Sequence, residues 1–107
     1  MAETPCILGQ VYPDAQVETT LFAVGQQHQV QCTIFVANTS ESVEQVTIAL
    51  IPEGTIPGSY NYIAYHTPMI GNACMAFAGV FLNSGDKIKV SSMNGQASFS
   101  GTGMLMS

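Results

Sequence analysis

The stretch that most constrains the fold runs from Val30 to Pro52, VQCTIFVANTSESVEQVTIALIP. Val30, Cys32, Ile34 and Val36 share one side of an extended chain, and Val46, Ile48 and Leu50 share another after the polar insert Asn38–Ser42. Side chains alternate across a strand, so apolar residues at every second position mark two strands, each with one face in a core. A short polar link between such runs reads as a hairpin loop. The sequence therefore predicts an antiparallel β domain with this hairpin at its centre.

The flanking segments extend the same pattern. Residues 1–16 read as an N-terminal arm or edge strand, because Pro5 and Pro13 limit ladder pairing, and residues 17–107 as the β domain. Val17–Val24 is a further short run closed by Gly25. EGTIPGS after Pro52 has loop chemistry. Tyr60–His66 is an aromatic strand with Tyr60, Tyr62 and His66 on one face, Ile63 and Tyr65 on the other, and a stop at Thr67-Pro68. Asn72–Leu82 is almost continuously apolar, a pattern open to helix or strand; Gly79 within it and the Asn83–Asp86 turn after it favour a strand. In Lys87–Met93 the lysines and Ser91 point outward and Ile88 and Val90 inward, and Asn94-Gly95 reads as a type I′ hairpin turn. The last strand, Gln96–Leu105, places Ala97, Phe99 and Leu105 on one face. The expected fold is all-β, an antiparallel β-sandwich or jelly-roll-like barrel of about eight strands.

Charge narrows the function classes. The 107 residues are enough for one domain. Only 8% of them are charged, with seven acids against two lysines and no arginine. Ordinary soluble domains carry about 25% charged residues, so a neutral exterior of this kind suits a chain covered by neighbours. Two lysines cannot supply the cationic footprint that binding to nucleic acid or an anionic membrane requires. No apolar run approaches the roughly 18–20 residues that cross a bilayer, and the N-terminus lacks the pattern of a signal peptide.

Cys6, Cys32 and Cys74 are widely spaced and lack a CxxC pair. A Cys32–Cys74 disulfide stays open, while free thiols in a reducing cytoplasm are the favoured reading, with both cysteines acting as small buried hydrophobes. His28 and Cys32 lie about 13 Å apart along a strand, too far for a nucleophile–base pair. His66 and Cys74 sit on neighbouring elements with no third orienting residue. Two histidines without HxH or HExxH make a poor metal set, so neither a cofactor nor catalysis is expected. Glu41, Glu44 and Glu53 make an acid/base site only if their loops converge; otherwise Glu41 and Glu44 are solvated loop charges. Asn38-Thr39-Ser40 matches a glycosylation acceptor and reads as a turn. Tyr60, Tyr62 and Tyr65 with Met104 and Met106 have the composition of an interface centre, or else fill the domain's own core.

The order of motifs resembles that of a family of small β-sandwich structural proteins of tailed-bacteriophage virions. The residues carrying it are Thr20–Val24, the strand Val30–Val36 ending at Asn38, Ala49-Leu50-Ile51-Pro52-Glu53-Gly54, Tyr62-Ile63-Ala64-Tyr65 with Pro68-Met69-Ile70, Gly85–Ser92, and Ser98-Phe99-Ser100. The chain departs from that pattern at Gly25-Gln26-Gln27 and at His66, where the family has a PAG turn and an aspartate. The resemblance implies assembly rather than catalysis: a capsid decoration or cement protein, a homo-oligomer (a trimer by analogy) folded in the host cytoplasm and bound to the major capsid protein. The alternative it leaves is a tail baseplate or fibre component. The loop after Pro52 is then the expected contact, with Glu53, Thr55, Ile56, Pro57, Ser59, Tyr60 and Tyr62 as its partner-binding residues.

Overall fold

The computed structural model describes residues 3–25, 28–54 and 61–106. Its strands are β1 (Glu3–Val11), β2 (Thr19–Ala23), β3 (Gln29–Asn38), β4 (Glu44–Ile51), β5 (Tyr62–Met69), β6 (Cys74–Leu82), β7 (Lys87–Ser92) and β8 (Ala97–Met106). They form two four-stranded sheets, A in the order β1-β8-β3-β6 and B in the order β2-β7-β4-β5. Antiparallel pairs join β1 to β8, β2 to β7, β3 to β6 and β4 to β5. The chain is thus one long hairpin, bent at the β4–β5 loop and rolled so that successive pairs alternate between sheets. The β3–β8 and β4–β7 ladders then complete each sheet. This winding is a jelly roll, in agreement with the expected all-β sandwich.

The central hairpin is corrected. β3 and β4 do not pair; they lie in opposite sheets. Each has one wholly apolar face, and facing each other across the sandwich lets the two bury one another. Side by side, both would present their apolar faces to the same side and depend on other strands to cover them. Ile34, Val36, Val46 and Ile48 accordingly have no solvent exposure. Asn94-Gly95 is corrected for the same reason, since it links β7 in sheet B to β8 in sheet A. Of that pair only Gly95 has a positive φ, 72°, so no type I′ turn forms.

Two local readings also shift. Ile51 is buried while Leu50 is half-buried, because β4 slips its register against β5 at Ile48/Ala49. β5 runs through Pro68 to Met69 instead of stopping before it, which an edge strand tolerates because one side of its ladder is unused. In β8, glycine serves packing. Gly101 is buried against the Phe22 ring, and a Cβ there would lie 2.8 Å from its Cε1. Gly101→Val should therefore overpack the core and cost about 1–3 kcal/mol, read as a lower urea midpoint with an unchanged slope.

Candidate functional site

The loops gather at the two ends of the sandwich. At one end, the Asp86 carboxylate accepts hydrogen bonds from the Glu53 backbone N–H (3.1 Å) and the Asn83 N–H (2.9 Å). Val24 N–H donates to Asp86 O and Gly85 N–H to Val24 O, tying the turn after β2 to the same cluster. The Glu53 side chain lies over Gly85, whose φ of 86° and missing Cβ leave it room. Glu53 is exposed here and Tyr62 half-buried at the start of β5. Of the expected contact residues, Thr55, Ile56, Pro57, Ser59 and Tyr60 lie outside the described residues.

At the opposite end two buried polar side chains hold the chain between sheets. Asn38, 3% exposed, donates through Nδ2 to the carbonyls of Ser42 (2.8 Å), Met69 (3.1 Å) and Ile70 (3.1 Å). Its Oδ1 accepts from Ser40 N–H and Ser40 Oγ. Glu44 is wholly buried and accepts from the N–H groups of Gln45, Asn94 and Gln96 at 2.9, 2.9 and 3.0 Å. Glu44 is therefore not a solvated loop charge, and the side chain of the glycosylation-pattern Asn38 is enclosed. The three glutamates do not converge: Glu44 opens β4 and Glu53 follows its far end, with about 23 Å of strand between the two ends.

Sheet B carries an aromatic ledge. Tyr62 and Tyr65 have ring centroids 4.7 Å apart, and Tyr65 stacks on His66 at 4.2 Å. The expected split of these residues between faces fails because of a bulge: Val46 pairs with Thr67 but Ile48 with Ala64, and His66 adopts a φ of 47°. Tyr65 is exposed and Tyr62 and Met104 are half-buried, so these three are surface rather than core; Tyr60 lies outside the described residues. His66 also borders a shallow polar depression of about 260 Å³ with Gln16, Gln45, Thr47 and Ser91. Among the described residues no three His, Cys, Asp or Glu side chains cluster as a metal would need.

Cys32 and Cys74 are both free. They lie on adjacent strands, but Cys32 is opposite Val80 and Cys74 opposite Ala37, far out of register for a bridge. His66 and Cys74 belong to different sheets. Cys32 is buried as expected, whereas Cys74 is exposed because it faces outward on an edge strand. Burial pushes the Cys32 thiol up to about 11. The unfolded thiol ionises near the usual 9.0, so this group's stabilising contribution is complete below pH 9 and lost as pH rises toward 11. In a Cys6→Ser background, a thiol reagent should label Cys74 at once and Cys32 only on unfolding. Cys32→Ala should flatten the loss of stability between pH 9 and 11.

Charge is distributed unevenly between the two outer surfaces. Lys87 and Lys89 lie on β7 of sheet B, where Lys89 meets Glu18 at 3.5 Å, and Asp14, Glu41, Glu53 and Asp86 sit in loops. The outward positions of sheet A from Ile7 onward are hydroxyl, amide, alkyl, thiol, thioether and phenyl groups, with no charge among the described side chains. No family model, curated protein or solved structure matches this chain.

Proposed function

We propose that this chain is a non-enzymatic structural protein of a tailed-bacteriophage virion, a capsid decoration or cement protein that bridges capsomers of the major capsid protein. The observation that carries the reading is the wound eight-stranded sandwich with an outer surface poor in charge, in which the buried Asn38 and Glu44 side chains hold the chain where it passes between sheets. Jelly rolls are a recurrent fold of viral capsid domains, although lectins and cupins share it and fold alone does not select among them. The sequence resemblance supports the virion reading within that set. In this account the sandwich is a rigid mount, and the loop after Pro52, fixed at its base by Asp86, is the part that touches the shell.

A second reading, a tail component facing a host receptor, is favoured by the Tyr62–Tyr65–His66 ledge on β5. Replacing residues 53–59 with a short Gly/Ser turn tests the head reading. Loss of binding to particles lacking the protein, with an unchanged melting temperature, is the expected result. Undiminished binding would remove the loop from the interface.

A further inference from the structure

We propose that the outer face of sheet A is the surface through which two copies of this chain pack on one another. This gives the homo-oligomer that the sequence resemblance implies a location, and rests on that expectation alone.

Area is the first argument. Four strands at about 4.8 Å spacing and nine to ten residues at about 3.3 Å each give a face of roughly 600 Å² in projection. Two such faces bury about 1,200 Å² before side-chain relief is added, which reaches the range of specific interfaces. Charge is the second. With a net charge of −5, two copies repel through most orientations. Pairing through sheet A keeps the charges of sheet B and of the loops away from the contact, with Glu3, at the outer end of edge strand β1, the acidic residue that belongs to this sheet. From Ile7 onward the described side chains of this face offer a partner of opposite charge nothing to recognise.

Shape is the third argument, and it selects a second copy. Phe35 and Phe81 stand out from the face at 46% and 67% exposure. Between their rows the β3–β6 register slips and Gly79 takes a φ of 76°. The slip opens a depression of about 380 Å³ lined by Gln31, Thr33, Ala78, Gly79 and Met104. Knob and hollow on one patch are what a two-fold contact requires, each copy's phenyl ring entering the other's depression. Sheets packed this way sit about 10 Å apart with interdigitating side chains.

Sedimentation velocity of the purified chain over a rising concentration series tests the proposal. A reversible dimer is expected. Ser100 lies mid-face, paired with Gln10 and Phe35 and two strands in from the open edge of β6. Ser100→Lys should weaken the dimer at least tenfold, and Ser100→Gln should leave it largely intact. Thr102→Lys serves as the second variant if the first melts early. A monomer at all concentrations, a trimer, or a dimer indifferent to both lysines, as edge-to-edge pairing through β6 would give, overturns the proposal. Because only the chain itself is present, such a result leaves particle binding to its own test.

Discussion

Glu44→Gln is expected to destabilise the protein by at least about 3 kcal/mol, although it changes neither the size nor the shape of the side chain. Both carboxylate oxygens are occupied: Oε1 accepts from Gln45 and Asn94, and Oε2 from Gln96. A glutamine turned either way aims its NH2 at one or more of these N–H groups, at a residue that has 0% exposure. The lost acceptor leaves a part-buried N–H without its partner, at the start of β4 or in the turn that carries the chain from β7 in sheet B to β8 in sheet A. A fall in Tm of at least roughly 10 °C in a thermal melt followed by circular dichroism is expected. Glu41→Gln, a few residues away and exposed, should stay within about 0.5 kcal/mol of the parent.

Asn38→Asp is the reverse exchange at the neighbouring crossover, with an effect of about 3–5 kcal/mol. Nδ2 donates to three carbonyl oxygens, those of Ser42, Met69 and Ile70. Aspartate puts an oxygen in its place and meets them with like partial charge in a site 3% exposed. Acid to amide at position 44 and amide to acid at position 38 should thus both be severe, an outcome that excludes side-chain volume as the cause. Urea midpoints of the two variants, with slopes close to the parent's, check it. Unchanged midpoints would mean that neither side chain holds the end of the sandwich.

The alternation that makes β3 and β4 legible extends to these two residues as well. Asn38 is in phase with Val30, Cys32, Ile34 and Val36, and Glu44 is in phase with Val46 and Ile48. Polar residues in register with a core face sit at the rim of the core, and their hydrogen-bonding capacity goes to the chain that turns there. Periodicity gives the strands and their inward faces because it is local. It cannot say which strand lies beside which, so a short polar link between two apolar faces suits a hairpin and an inter-sheet crossing equally. The bulge at Tyr65–His66 was hidden for a similar reason, since a non-glycine residue at positive φ leaves little trace in sequence. The uncharged outer face of sheet A was visible in composition but had no location until the sheets were assembled.

The most direct test of the assembly role is the copy number of this chain in purified virions, by quantitative mass spectrometry with cryo-electron microscopy of the same particles. The account predicts copies on the order of hundreds per particle, as a symmetric lattice requires, with density on the outside of the head. Absence from the particle, or a handful of copies confined to the tail, would contradict it.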